Sequence, residues 1–290
     1  MKIKHIVSCF FVSLIGLSAC SIEELPYNQL TEDELDGSYE SLLSATRGNY
    51  AVFKQTAFHQ GWHYAGELAS DNVSLSGVSS DALMYIYNYQ RITDNYHMSN
   101  MWGWAYRSII NSNKILEKAQ EGESKEMDQL IGENYFLRGW LEFVLVNVFG
   151  RPYNQSPETN LGIPLKLTAD INDYPMRSTV KESYEQILKD LKKAETLLNS
   201  ESNIYAGPSA AKALLSRVYL YMGNNKLAAE YATEVIESSG RTLLEGEAML
   251  QPMFWYRKII RKSSLPSVVL KIKTTTVGTL SEAFMPISMG

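Results

Sequence analysis

The stretch from Gly132 to Pro152, GENYFLRGWLEFVLVNVFGRP, is apolar nearly all round a helical wheel, yet it carries Glu133, Arg138, Glu142 and Asn147 at roughly helical intervals. A helix without a polar face cannot lie on a surface, so other helices must cover it on more than one side. Its few polar side chains are then expected to make specific buried contacts. Gly150 and Pro152 end the run, because glycine caps a helix end and proline cannot continue one. The chain is therefore expected to be built helix on helix.

Flanking segments extend this pattern. Between Asp33 and Phe53, Leu35, Tyr39, Leu42, Leu43, Thr46, Tyr50 and Phe53 fall on one helical face. A second helix is expected from about Asn100 to Gln120, then a charged turn from Glu121 to Lys125, then the apolar helix to Phe149. Arg151 to Pro175 is dense in Pro, Asn and Gly and reads as a long loop. Thr179 with Glu182 forms a capping box, and Val180, Tyr184, Ile187, Leu188, Leu191, Ala194, Leu197 and Leu198 make a single stripe behind it.

Between Ser209 and Ser238, Leu215, Ser216, Tyr219, Gly223, Ala228, Ala232 and Val235 stand at the offsets of a tetratricopeptide repeat. Small residues let two antiparallel helices approach, and Gly223 permits the turn between them. One repeat cannot bury its own face, so the helices from Gly132 and from Val180 are expected to form the neighbouring pair, with the long loop inserted between them. Ala57 to Tyr89 contains Gly61, Gly66 and Gly77 and reads as irregular. Past Gly240 the pattern weakens, although Val268 to Lys273 alternates like a strand. The expected fold class is all-α: tetratricopeptide-like helical repeats with long loop insertions, plus a short partial C-terminal segment with one candidate strand.

The N-terminus reads as an export signal. Lys2, Lys4 and His5 precede an apolar stretch from Ile6 to Leu17 that is too short to cross a bilayer, and Leu17-Ser18-Ala19-Cys20 follows. This resembles the bacterial lipobox, in which the cysteine is acylated and becomes the first mature residue. Several acyl chains attach a protein stably, since each buried methylene contributes about 0.8 kcal/mol. Glu23 and Glu24 sit where surface lipoproteins carry an acidic export tag, and they read equally well as a solvated acidic linker. Cys9 and Cys20 are the only cysteines, so no disulfide or thiol chemistry is left to the folded domain.

Lys plus Arg number 27 against 32 Asp plus Glu; without Lys2 and Lys4 of the signal the balance is 25 against 32, or −7. No basic block suggests nucleic acid, and an acidic surface repels anionic polymers unless locally relieved, so neutral ligands are favoured. No G-x-S-x-G elbow, phosphate-cradling loop or cysteine cluster occurs, and no catalytic residue or cofactor is expected. His59, His63 and Glu67 are spaced by four, but Gly61 and Gly66 oppose a stable helix there and no metal site is expected.

Glu133, Tyr135-Phe136-Leu137-Arg138, the bulky run Trp140 to Val148 and Phe149-Gly150-Arg151-Pro152 resemble a signature block of the SusD/RagB family of outer-membrane nutrient-uptake lipoproteins. Trp104-Ala105-Tyr106 through Ile109-Ile110-Asn111-Ser112-Asn113 resembles the family's aromatic, Ile and Asn helix. Ser209 to Met222 resembles its Ala-rich helix, and the similarity runs to about Leu244. The resemblance implies a non-catalytic lipoprotein of the outer membrane, held in lipid by acylated Cys20 and facing the exterior. Such a protein binds oligosaccharides or peptides and passes them to a SusC-like TonB-dependent transporter.

The resemblance also places ligand contacts in loops, where aromatic rings stack on glycans and Asp, Asn or Arg bonds hydroxyls. The candidates are Trp62, His63, Tyr64, Asp71, Asn72, Tyr85, Tyr87 and Tyr89, whereas Trp102, Trp104, Tyr106 and Trp140 are expected to pack. The expected layout is a signal peptide at 1–19, a SusD-like helical repeat domain at 20–245 and the start of an incomplete C-terminal region at 246–290, short of the family's usual length. Two other readings stand beside this one. The first is a tetratricopeptide-type interaction scaffold on the outer membrane without its own ligand site. The second is a carbohydrate-active enzyme, for which no facing acid pair is recognisable.

Overall fold

The structure, a computed structural model, describes residues 35–75, 81–90 and 92–240. The expected signal peptide at 1–19, Cys20, Glu23, Glu24, Gly77, the candidate strand Val268 to Lys273 and the region 246–290 lie outside the described residues. Among the described residues the fold is helical, with one short β-hairpin.

Helix α1, Tyr39–Tyr50, starts at Ser38, whose side chain accepts from the Ser41 amide, and runs into a 3-10 turn at Ala51–Lys54. Helix α2, Thr56–His63, continues into a π-helical turn at Tyr64–Leu68, and α3 spans Asp81–Tyr87. Helix α4, Tyr96–Lys118, is capped by Asn95, and α5, Lys125–Phe149, by Ser124. Strands β1 (Leu161–Pro164) and β2 (Arg177–Thr179) pair antiparallel, Leu161 opposite Thr179 and Pro164 opposite Arg177. Helix α6, Val180–Leu197, opens on the Thr179–Glu182 capping box with both reciprocal bonds present. Helices α7, Pro208–Tyr221, and α8, Asn225–Ser238, are joined by a turn in which Gly223 has φ +77°.

Helix α5 is the central element, packed by α4 and α6 and touched by α1 and α7. Leu137, Leu141 and Leu145 on it are fully buried, and Leu141 and Leu145 belong to a core to which α4 gives Met101, Ala105 and Ile109, and α6 gives Ile187 and Leu191. A second cluster, with Leu42, Ile115, Met127, Leu130 and Ile131, closes the other end of α5. Burial of each large side chain of this kind contributes about 1.5–3 kcal/mol. Helix α6 reaches α5 so closely because α5 presents glycine: a Cβ on Gly139 would lie 3.2 Å from the Leu191 side chain, and one on Gly132 3.0 Å from Leu198. In the α7–α8 pair, Ser216 donates to the Ala228 carbonyl at 2.7 Å and Tyr219 stacks on Tyr231, the tight contact that the repeat spacing requires.

Of Glu133, Arg138, Glu142 and Asn147, all but Glu142 have specific hydrogen-bond partners. Glu133 pairs with Arg47 at 2.7 Å, and Arg138 forms a two-pronged pair with Asp190 on α6 at 2.6 and 2.7 Å. Asn147 faces solvent, where it donates to the Phe143 carbonyl and accepts from Tyr184. Glu142 is buried, and neither carboxyl oxygen has a hydrogen-bond partner.

Two expectations are corrected. Ala57 to Tyr89 is not irregular throughout, since α2, the π turn and α3 occupy most of its described part. Gly61 lies inside α2, and a Cβ there would stand 2.6 Å from Met101 Cβ and 2.7 Å from the His97 carbonyl oxygen, so glycine permits the close crossing of α2 and α4. The long loop after α5 contains β1, which pairs with the strand leading into α6. Among the described residues no helix is long and apolar enough to cross a membrane.

Candidate ligand-binding cleft

An open cleft of about 980 Å³ lies between the N-terminal part of α4, the C-terminal end of α5 and the β-hairpin. Helix α4 contributes Met98, Ser99 and Trp102, and the chain between α3 and α4 adds Gln90, Ile92 and Thr93. The end of α5 gives Phe149 and Arg151, and the opposite wall is Thr159, Asn160, Leu161 and Arg177.

Local bonds fix each wall. Asn95 caps α4 by accepting from the His97 and Met98 amides, and its own amide donates to Ala82 in α3 at 2.8 Å, so α3 and α4 are tied at the cleft edge. Trp102 is held by Tyr106 at 4.7 Å and edge-on by Phe149 at 4.8 Å between ring centres. Tyr106 donates to the Pro164 carbonyl at 2.7 Å, which anchors β1 to α4. Burial first, and then the Glu142 charge, hold the Tyr106 phenol above its ordinary range, so it remains a donor. Arg177 donates from Nε and Nη2 to Gly162 and from Nη2 to Phe149 and Leu161, joining the hairpin to the last carbonyl of α5.

Deeper in, Asn113 donates to the Lys166 and Thr168 carbonyls at 2.9 Å while its own carbonyl accepts from Arg138 at 2.7 Å. The signature Arg138 thereby supports the inserted loop through α4 and pairs with α6 directly. Burial, then the Asp190 charge, keeps the proton on Glu142 well above the usual carboxylate range, with Arg138 opposing. Glu142 does not line the cleft.

The eight residues expected to contact ligand lie elsewhere. Trp62 is half-buried, edge-on to Trp140 at 5.6 Å, and His63 stacks on it at 5.6 Å between ring centres. Tyr64 in the π turn meets His97 edge-on at 4.9 Å. Asp71 and Asn72 are exposed in the following turn, and Tyr85 and Tyr87 are half-buried on α3. Tyr89 is 72 % exposed with φ 56°, and its hydroxyl donates to the Ala69 carbonyl, which brings the Asp71–Asn72 turn beside the end of α3. None of the eight lines the cleft, although Ile86 and Gln90 from the same segment do. Trp102, expected only to pack, both packs and lines it. Sequence reasoning also missed Arg151 and Arg177, whose signal is weak because they belong to different elements.

His59 and His63 do stack at 6.1 Å, but a His59 ring nitrogen engages the Phe53 carbonyl, and burial followed by the neighbouring His63 lowers the His59 pKa. Among the described residues no group of three His, Cys, Asp or Glu is placed to hold a metal.

Over residues 22–220 the chain matches the SusD-like family described as "Starch-binding associating with outer membrane". It is similar to the crystal structure of a SusD superfamily protein from Bacteroides thetaiotaomicron, at 28 % identity and TM-score 0.64, with 74 % of this chain and 49 % of that one covered. A SusD superfamily protein from Bacteroides vulgatus matches at 25 % identity and TM-score 0.67, over 75 % of this chain and 51 % of that one. A SusD-like carbohydrate binding protein from the same species shares the fold, at 18 % identity and TM-score 0.64, over 73 % of this chain and 47 % of the other. The chain thus spans about half the length of these solved structures. No curated protein matches it.

Proposed function

The chain belongs to the SusD-like family, and from that premise we propose that it is an outer-membrane lipoprotein that binds oligosaccharides and passes them to a SusC-like TonB-dependent transporter. The lipid anchor is acylated Cys20, and the protein faces the exterior and catalyses nothing. The family match is the observation that carries this reading, and the cleft supports it. A tryptophan ring beside exposed amide, hydroxyl and guanidinium groups supplies what sugar recognition needs, an apolar face with a few convergent polar donors. The residues Trp62, His63, Tyr64, Asp71, Asn72, Tyr85, Tyr87 and Tyr89 are proposed as further ligand contacts on the neighbouring surface. Isothermal titration of the full chain against a panel of glycans and peptides tests capture. Binding to at least one glycan is expected, and a panel entirely without heat refutes it.

A second reading, an interaction scaffold that recognises protein alone, draws on the exposed Leu220, Tyr221 and Ile236 of the α7–α8 pair, which are 57 %, 49 % and 75 % accessible. Retention of a barrel transporter in a pull-down, together with no glycan response, would favour it.

A further inference from the structure

Resting on the glycan-binding reading above, we propose that the cleft selects a charged sugar: an oligosaccharide whose carboxylate or sulfate group is received by Arg151 and Arg177. Those two arginines are the only charged side chains among the described residues lining the cleft; no Asp, Glu or Lys lines it. The chain as a whole carries a net charge of −5, so the cleft reverses the sign of the molecule.

The reversal is not balanced from within. Arg47, Arg138, Lys166, Lys193 and Lys212 each pair with a carboxylate. Among the described residues Arg151 and Arg177 have no such partner. The bonds of Arg177 all go to neutral carbonyls, which orient the guanidinium without cancelling its charge. The carbonyl end of α5 offsets Arg177 in part. Arg151, exposed just past that end, is the less engaged cation of the two. A guanidinium stays charged at any physiological pH and presents a planar fork of donors that matches two oxygens of a carboxylate or sulfate. A neutral glycan can accept hydrogen bonds from that fork but brings no charge to it. Trp102 beside it offers a ring face, and Gln90 and Asn160 offer amides for the hydroxyls of the same residue. The preference for neutral ligands expected from bulk charge is reversed here by local geometry.

The test is isothermal titration of the full chain with trigalacturonate, a sulfated heparin-derived oligosaccharide and neutral maltotriose, at low and high salt. The expected result is binding of at least one acidic probe that weakens with salt, while maltotriose binds at least tenfold more weakly. Trigalacturonate binding assigns the acceptor as carboxylate, and binding of the sulfated probe alone assigns it as sulfate. Arg151→Gln should reduce the affinity for the acidic probe about tenfold or more, as expected for loss of a charge-assisted bond. Because Arg177 also holds backbone carbonyls, Arg177→Gln is compared with the parent by thermal melting, and Arg151→Gln carries the decision. Equal binding of neutral and acidic probes, or an unchanged affinity in Arg151→Gln, overturns charge selection and leaves glycan capture standing. Silence from all three probes while another neutral glycan binds overturns charge selection alone, and silence from every glycan overturns both.

Discussion

Asp190→Asn is the most informative single perturbation of this fold. Asp190 is 1 % exposed and meets Arg138, 8 % exposed, through two bonds of 2.6 and 2.7 Å, and it accepts a third from Gln186 at 2.9 Å. The substitution keeps the side-chain volume but leaves the guanidinium buried without its counter-ion. Removing one partner of such a pair costs about 3–5 kcal/mol, a large share of a typical domain's margin of about 5–15 kcal/mol. Glu142 then modifies the result. Its proton is retained by burial and by the Asp190 charge, against the pull of Arg138. With Asp190 neutral, one cause of retention is gone, and Glu142 ionises more readily and becomes a substitute counter-ion. The cost of Asp190→Asn should therefore shrink as pH rises. In a Glu142→Gln background no substitute exists, so the cost should be full and flat with pH. Urea unfolding of the four variants at several pH values, with slopes compared, measures this cycle. A cost below about 1 kcal/mol at every pH, the magnitude of a surface pair, would refute the reasoning. So would an identical pH trend in both backgrounds.

Glu142 also makes a prediction by itself. Its folded pKa is raised above an ordinary value near 4.5, so the native state binds more protons than the unfolded state between those two values. Its contribution to stability therefore falls as pH rises from about 4.5 toward the folded pKa, and Glu142→Gln should remove that fall; parallel stability–pH curves would contradict it. Gly61→Ala brings a Cβ within 2.6 Å of Met101 Cβ, and overpacking of this kind should cost about 1–3 kcal/mol, read as a lower melting temperature. Thr179→Ala removes the two bonds of the Thr179 hydroxyl, which accepts from the Glu182 amide at 3.1 Å and donates to the Glu182 carboxylate at 2.9 Å, and leaves the Thr179 amide bonded to that carboxylate at 2.8 Å. It should cost about 0.5–2 kcal/mol in chemical denaturation, and a neutral outcome would mean that the hairpin, not the cap, starts α6.

Local sequence set the helices whose evidence is local. The apolar circumference of Gly132 to Pro152 is enough to require burial, and the Thr179 cap, the α6 stripe and the Gly223 turn each depend on residues within a few positions. Helix α2 was illegible because the meaning of Gly61 depends on Met101, forty positions along the chain, and without that contact a mid-helix glycine reads as a breaker. Strands as short as β1 and β2 carry no pattern of their own and are held by bonds from Tyr106 on α4 and Arg177 on β2 to the Pro164 and Gly162 carbonyls of β1. The eight candidate contact residues between Trp62 and Tyr89 are proposed for their chemistry, and nothing in their spacing tells which ring faces a partner and which faces solvent.

The amino-acid order by itself determined that this is a helical repeat protein with a buried α5, because helix periodicity and end signals act over one or two turns. Only the tertiary structure decided which residues meet across helices. It gave Arg138 to Asp190 and Asn113, left Glu142 without a partner, and set Trp102, Arg151 and Arg177 around one cleft. The physical reason is range: periodicity is written in neighbouring residues, while the sign of charge in a cleft depends on elements that only folding brings side by side.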